Sequence, residues 1–96
     1  MHAVIRTYSG KGAAELFAFL ATRKDEIEQE FRKINGFLSY SLIKTEDGGV
    51  SVTVGKTKGA INKSTTLARN WLAKNAAGMK YRPPKSAEGK ALIHAV

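Results

Sequence analysis

The chain has 96 residues, of which 43% are hydrophobic and 25% are charged. These fractions are close to those of globular domains, and they exclude a disordered chain, a collagen-like repeat and a long coiled coil. The formal net charge is +8 at pH 7, which favours anionic ligands or partners. The length predicts a single domain that spans residues 1–96 around one hydrophobic core.

The sequence contains no cysteine, which excludes disulfides, thiolate metal sites and a cysteine nucleophile. The only imidazoles are His2 and His94, and the basic half of the chain lacks carboxylates to join them, so we expect no metal site. No apolar stretch approaches the roughly 20 residues that cross a bilayer, and residues 1–10 alternate as a strand instead of forming a signal peptide. The expected location is the cytoplasm, with no membrane partner.

The positive charge is concentrated in the second half of the chain. Residues 1–47 carry seven basic and seven acidic side chains, whereas residues 48–87 carry eight basic side chains and no acidic one. Such a surface raises the local concentration of anions, whether a carboxylate or phosphate ligand, a nucleic acid or an acidic partner. An ordinary solvated surface is the alternative explanation. The eight residues are Lys56, Lys58, Lys63, Arg69, Lys74, Lys80, Arg82 and Lys85.

Two elements are predicted in the first third of the chain. Residues His2–Ser9 alternate with period two and predict a strand. Residues Ala13–Ile34 predict one long amphipathic helix, which Asn35-Gly36 would end with a left-handed cap. The apolar stripe of this helix consists of Leu16, Phe17, Leu20, Ile27, Phe31 and Ile34.

A hairpin is predicted next. Phe37–Thr45 and Val50–Lys56 both have strand composition, and Asp47-Gly48-Gly49 between them is a strong turn signal. A second helix, capped by Thr57 or Ser64, would run to about Asn75.

The last part of the chain combines a long connection with a terminal strand. Residues 76–89 contain two prolines and two glycines and predict a loop. Ala91–Val96 predicts the last strand.

The predicted order βαββαβ is a split βαβ unit, in which both helices cover one face of an antiparallel four-stranded sheet with the spatial order 4-1-3-2. The fold class is therefore α+β, a ferredoxin-like sandwich. The residues expected to face the helices are Ala3, Ile5, Leu42, Val52, Val54 and Ile93. Those expected on the bare face are Val4, Arg6, Tyr8, Ser39, Ser41, Ser51, Thr53 and His94. This semi-polar face would be covered by a second sheet, a ligand or a nucleic acid.

Two families with this topology are disfavoured by the sequence. An RNA-recognition domain stacks bases on aromatic residues of its third strand, and residues 49–56 contain none. A small amino-acid-binding regulatory domain usually accompanies a catalytic domain, and this chain has no such domain.

The chain resembles the dimeric α+β barrel superfamily, and within it the small antibiotic-biosynthesis-monooxygenase-like proteins. The resemblance covers nearly the whole chain and rests on the long first helix, the Asn35-Gly36-Phe37 entry into the second strand, the Gly48-Gly49 hairpin and the helix ending at residues 68–75. It implies a homodimer in which two sheets meet face to face. Members include cofactor-free oxygenases of polyphenols, haem-degrading enzymes and isomerases.

The resemblance also implies site residues. In the oxygenases, an Asn and a Trp on the second helix and a nearby Tyr and Arg line a cavity between helices and sheet, and Asn70, Trp71, Tyr81 and Arg82 occur here in matching order. The chain departs from the pattern at residues 74–75, where Lys and Asn stand in place of the usual His.

Each candidate residue also has a structural explanation. His94 is either a general base or a hydrogen-bonded residue at the dimer face. Trp71 lies on the apolar stripe of its helix and belongs to the core, a cavity wall or both. Asn70 beside it is also explained as a surface or capping residue. Tyr81 and Arg82 are able to close over an anionic aromatic ligand, or are simply exposed in their loop.

The sequence therefore predicts a cytoplasmic homodimer that binds a small anionic or aromatic metabolite without a cofactor or metal, with monooxygenase-like chemistry as an extension. The candidate catalytic residues are Asn70, Trp71 and His94. The candidate ligand-binding residues are Arg6, Tyr8, Trp71, Tyr81 and Arg82. The alternative is a noncatalytic interaction module whose basic surface binds nucleic acid or an acidic partner.

Overall fold

The structure is a computed structural model that describes residues 1–96. Four strands and three helices follow one another along the chain. In order they are β1 (His2–Tyr8), α1 (Ala13–Ala21), α2 (Lys24–Arg32), β2 (Phe37–Thr45), β3 (Gly48–Gly55), α3 (Lys58–Asn75) and β4 (Lys85–Lys90). None of the helices is long and apolar enough to cross a membrane.

The strands form one antiparallel sheet in the order β2-β3-β1-β4, which is the predicted order 4-1-3-2 read from its other end. The helices pack on one face of it: Phe17 of α1 contacts Tyr8, Phe31 of α2 stacks on Tyr40, and α3 bonds to Arg6. The predicted ferredoxin-like α+β fold is confirmed.

The long first helix is divided in two, so the prediction of one helix over Ala13–Ile34 is wrong at its middle. The backbone N–H groups of Thr22 and Arg23 donate to carbonyls three residues earlier, and the Thr22 hydroxyl donates to the Phe19 carbonyl at 2.6 Å. This local hydrogen bonding competes with the helical ladder and ends α1. The predicted apolar stripe still reaches the core, because Leu16, Phe17, Leu20, Ile27 and Phe31 are all buried.

The predicted orientation of β1 is wrong. Val4, Arg6 and Tyr8 are buried beneath the helices, whereas Ile5 is 44% exposed on the other face. Strand β1 carries apolar side chains on both faces, so its alternation alone does not define the inner face. The sequence predicts that Arg6, being charged, faces away from the helices. In the structure Arg6 faces α3 and donates hydrogen bonds to hydroxyl groups of that helix.

The neighbouring strands follow the register of β1. Ser51 and Thr53 lie beside Arg6 and Val4 under the helices, contrary to prediction, and Val52 and Val54 lie beside Ile5 and Ala3. On β2, Leu42 packs against the core, as predicted, and Ser39 and Ser41 face away from the helices, also as predicted. We call the face opposite the helices the open face. It carries Ala3, Ile5, Thr7, Ser39, Ser41, Ile43, Val50, Val52 and Val54.

The prediction of the last strand is also wrong. Strand β4 is Lys85–Lys90, within and just after the predicted loop, and it pairs with β1. All of its residues are exposed, so its composition carries no alternation that reveals a strand. Residues 91–96 form no strand, and Leu92 and Ile93 are 88% and 86% exposed. His94 therefore does not lie in the sheet.

The hairpin between β2 and β3 is confirmed, but its turn is Glu46-Asp47 instead of the predicted Asp47-Gly48-Gly49, because both glycines pair with β2 as the start of β3. Thr45 pairs with Gly48, which leaves two residues in the turn. A Cβ atom at Gly49 would overlap the Phe17 ring. Gly49 therefore lets the core aromatic residue of α1 lie directly on the sheet.

We predict that Gly49→Ala lowers the free energy of unfolding by about 1–3 kcal/mol, because the Phe17 ring is displaced from its place in the core. Gly89→Ala in β4 is the matched control, since a Cβ atom there meets no atom within 4 Å and its effect should stay within about 0.5 kcal/mol. Urea unfolding of both variants measures the difference. Equal stabilities would contradict the contact.

Candidate ligand-binding site

A cleft of about 850 Å³ opens between α3, β1 and the segment that connects α3 to β4. This volume lies in the range of small-molecule sites. Its wall contains three cations and no carboxylate; the cations are Arg6, Arg69 and Lys80. The aromatic rings of Tyr8 and Tyr81 and the apolar side chains of Leu72, Met79, Pro83 and Pro84 complete much of the wall. The cleft thus combines positive charge with aromatic and apolar surface.

Arg6 is the most unusual member of this wall, because it is only 4% exposed and forms no ion pair. Its Nη2 atom donates to the hydroxyls of Ser64 at 3.3 Å and Thr65 at 2.8 Å, whereas Nη1 is buried without a partner. Burial lowers the pKa of the Arg6 guanidinium, although arginine remains protonated in proteins. The cleft therefore contains a buried positive charge that no carboxylate balances.

The start of α3 positions the hydroxyls that hold Arg6. The N-cap of α3 is Thr57, one of the two residues that the sequence predicts for this role. Its hydroxyl accepts a hydrogen bond from the Ala60 N–H at 3.2 Å. One turn later, the hydroxyls of Ser64 and Thr65 donate to the Ile61 carbonyl at 2.7 and 3.2 Å. Their protons are committed to the helix, so toward Arg6 they act as acceptors.

Two tyrosines, Tyr8 and Tyr81, line the cleft, and a third, Tyr40, lines the adjacent apolar gap. Tyr8 and Tyr81 meet edge to face with ring centroids 6.3 Å apart, and Tyr40 stacks on Phe31 at 3.9 Å. Burial raises the pKa of Tyr8, and it raises the pKa of Tyr40 to about 12. Both phenols are therefore neutral at physiological pH and leave the Arg6 charge uncompensated.

Trp71 lies beside the cleft. It borders a narrow apolar gap of about 40 Å³ that shares Tyr8, Ala68 and Leu72 with the cleft wall. Its indole N–H donates to Glu26 at 3.0 Å, and a hydrogen bond from Arg23 is the main cause that lowers the pKa of Glu26. Trp71 is thus both part of the core and adjacent to the cleft.

The remaining candidates lie elsewhere. Asn70 is exposed in a shallow depression with Asn62 and Lys63 on the outer side of α3. Arg82 is exposed, and its side chain lies by Gly10 instead of in the cleft wall. His94 follows β4 in the C-terminal segment, outside the sheet. Of the predicted residues, the structure brings together Arg6, Tyr8 and Tyr81, with Trp71 as their neighbour.

Sequence reasoning missed Arg69, Lys80 and the pair Ser64 and Thr65 as site residues. The two hydroxyls lie about two turns into α3, on the side that faces the sheet, and such positions normally carry apolar residues. The available sequence signal is that Ser64 stands on the apolar stripe of α3, three residues after Ile61 and three before Leu67, where a buried hydroxyl needs a polar partner.

A second depression, of about 530 Å³, lies between α2 and β2 and contains none of the predicted site residues. Its wall mixes Lys24, Arg32 and Lys44 with Glu28, and Glu28 pairs with Arg32 at 2.8 Å. The charges of this second depression are exposed and partly neutralised by ion pairing. The cleft with Arg6 is therefore the better candidate for a ligand site. No group of three or more His, Asp and Glu side chains is arranged so that it could hold a metal ion.

The fold and cleft define a ferredoxin-like α+β protein with a cavity between one helix and the sheet. No protein-family model matches the sequence, and no curated protein is significantly similar to it. Among solved structures, the chain is similar to Rv0793 from Mycobacterium tuberculosis, with a TM-score of 0.69, 22% identity, and coverage of 99% of this chain and 98% of that one.

Two further structures are similar. The monooxygenase from the gene ActVA-Orf6 of Streptomyces coelicolor, in complex with the ligand Nanaomycin D, has a TM-score of 0.69 and 17% identity, covering 99% of this chain and 90% of that one. A dimeric ferredoxin-like protein from an uncultured marine organism has a TM-score of 0.63 and 12% identity, covering 99% and 95%. At these identities the likeness establishes the fold, and it confirms at that level the resemblance found in the sequence.

We predict that the native chain loses stability as the pH rises from 10 toward 12. The folded protein holds Tyr40 neutral to about pH 12, whereas the unfolded chain ionises it near 10.0, so its contribution is complete below pH 10 and lost above it. The loss is at most roughly 3 kcal/mol. Denaturant titrations across this range measure it, and Tyr40→Phe, which keeps the ring on Phe31, should show a smaller loss. Equal losses would contradict the burial of the Tyr40 phenol.

Proposed function

We propose that this protein is a homodimer that binds a small anionic or aromatic metabolite in the cleft between α3 and β1. The observation that carries the proposal is the buried, unbalanced charge of Arg6 in a cleft walled by tyrosines and apolar side chains. A buried cation is normally paired, because an isolated charge is expensive to remove from water. An anionic ligand would provide the missing partner.

The homodimer is supported by apolar surface that the protomer leaves exposed. On the open face, Ile5 and Ile43 are 44% and 48% exposed, beside half-buried Val50 and Val52. The open-face residues of β1, β2 and β3 are all uncharged, so the central part of the face is poorly suited to nucleic acid and well suited to a second copy of itself. The similar marine protein is described as dimeric.

We predict a solution mass of about twice 10.4 kDa by light scattering, at both low and high salt, because apolar contacts are insensitive to screening. Ile5→Lys introduces a charge at the centre of the open face and should give a monomer. Thr66→Lys, exposed on α3, adds the same charge away from that face and should stay dimeric. A native protein that is monomeric at both salt concentrations would overturn the dimer.

Monooxygenase-like turnover of the bound metabolite, without a cofactor, is the extension of this proposal. It is supported by the fold shared with the Streptomyces coelicolor monooxygenase and by the position of Trp71 beside the cleft. Asn70 and His94 do not line the cleft, so the residues that face a ligand are suited first to binding.

Ligand binding can be followed by tryptophan fluorescence, because Trp71 is the only tryptophan and lines the apolar gap next to the cleft. We predict that an aromatic carboxylate changes its fluorescence, and that Tyr81→Leu weakens binding about threefold to tenfold, in line with the loss of one aromatic contact. Arg82→Gln is the control, because Arg82 is outside the cleft wall and its loss should leave affinity unchanged. Equal affinities in the native protein and Tyr81→Leu would place the ligand elsewhere.

The alternative, a noncatalytic module that binds nucleic acid or an acidic partner, is supported by one observation. All eight basic residues between 48 and 87 are exposed, and none forms an ion pair. Those on α3, however, form two rows roughly 140° apart, Lys58 with Arg69 and Lys63 with Lys74, and do not make one continuous stripe. Binding of duplex or single-stranded DNA that weakens steeply with salt would favour this alternative.

A further inference from the structure

The bonding of Arg6 leaves one part of its guanidinium free. Nη2 donates to the hydroxyls of both Ser64 and Thr65, which uses its two hydrogens. Nη1 has no hydrogen-bond partner and no contact with solvent. Nη1 is therefore the buried donor group of Arg6 that lacks a partner, on a side chain that already lines the cleft.

The groups around Arg6 do not neutralise it. The neighbouring tyrosines, Tyr8 and Tyr40, have raised pKa values because of burial and are neutral. Glu88 of β4 is exposed and forms no ion pair with Arg6, and its charge only partly offsets the lowering of the Arg6 pKa by burial. The charge of Arg6 is thus available to a ligand that enters the cleft.

We propose that the ligand is an aromatic monocarboxylate, whose carboxylate binds Nη1 of Arg6 and whose ring lies against Tyr8 and Tyr81. This assignment rests on the cleft being the ligand site, as proposed above, and names the class of compound that the site selects. Binding requires the Arg6 side chain to turn Nη1 toward the cleft while the hydroxyls of α3 hold Nη2.

A carboxylate suits the inner end of the cleft better than a phosphate does. The hydroxyls of Ser64 and Thr65 donate to the Ile61 carbonyl, so they have no proton for a ligand oxygen. Arg69 and Lys80 are exposed, which leaves Arg6 as the one buried cation in the wall. One positive charge with one free arm matches a monoanion, whereas the three oxygens of a phosphate dianion would lack donors. The facing tyrosine rings and apolar wall then favour an aromatic body.

The test compares 2-naphthoate with 2-naphthamide, which have the same ring and nearly the same shape but differ in charge. Isothermal titration calorimetry of the native protein should show naphthoate binding about tenfold to a hundredfold more tightly, as expected for a charge-assisted hydrogen bond. In Arg6→Gln this preference should vanish while the affinity for naphthamide changes by less than about twofold.

The outcomes separate this inference from the proposed function. If both probes bind the native protein equally, the cleft binds aromatic ligands but the carboxylate assignment is wrong. If Arg6→Gln keeps the preference and Arg69→Gln loses it, the anion lies at the exposed cation and the assignment to Arg6 is wrong. If neither probe binds, the aromatic carboxylate class is rejected, whereas binding of other ligands reported by Trp71 would leave the cleft as the site.

A second variant distinguishes a ligand-binding Arg6 from a purely structural one. Arg6→Met removes the buried charge and keeps much of the volume, and it leaves Ser64 and Thr65 bonded to the Ile61 carbonyl. We expect the Tm to stay the same or rise, while the naphthoate preference is lost, because replacing an unbalanced buried charge by an apolar side chain is often stabilising. A Tm that falls by more than that of Gly89→Ala, with the preference intact, would mean that Arg6 serves the fold.

Discussion

The orientation of β1 beneath the helices is the constraint on which the rest of the structure depends. Side chains alternate along a strand, so Arg6 facing the helices places Val4 and Tyr8 in the core and Ile5 on the open face. The register then carries Ser51 and Thr53 inward and Val52 outward on β3. This orientation places the polar side chains of Arg6, Ser51 and Thr53 among the apolar ones of the inner face and leaves an uncharged, largely apolar open face.

The sequence predicted the fold better than the site. The hairpin, the Thr57 cap and the strand order follow from local signals, since turn residues, N-caps and amphipathic periods act within a few positions. The end of α1 at Thr22 and the strand β4 have no such signal. The helix ends there because the Thr22 hydroxyl competes for the Phe19 carbonyl. Strand β4 is an exposed edge strand that is stabilised by backbone pairing with β1. The C-terminal segment was mistaken for a strand because its apolar composition is typical of one.

For the site, the structure brings Tyr8, Tyr81 and Arg6 together in one cleft, although the first strand does not have the predicted orientation. Arg6 and Tyr8 are predicted on the bare face, whereas they lie on the helix face. The arginine beside Tyr81 in the cleft wall is Arg6, whereas the sequence predicts Arg82 at that position. A single sequence cannot indicate which arginine finds hydroxyl partners 58 and 59 residues away, because that contact depends on the packing of α3 on the sheet.

The division between α1 and α2 also bears on how the cleft accommodates a ring. It places Arg23 within 5.6 Å of the Phe19 ring and 5.5 Å of the Trp71 ring, and Glu26 within hydrogen-bonding distance of the indole. These contacts are exposed, and a surface ion pair such as that of Arg23 with Glu26 contributes little to stability. They therefore close the 40 Å³ gap beneath Trp71 only weakly. Because the gap is apolar and shares Tyr8 with the cleft, the wall beside Tyr8 can yield toward Trp71 without breaking a buried hydrogen bond, which would give the proposed aromatic ligand room for its ring.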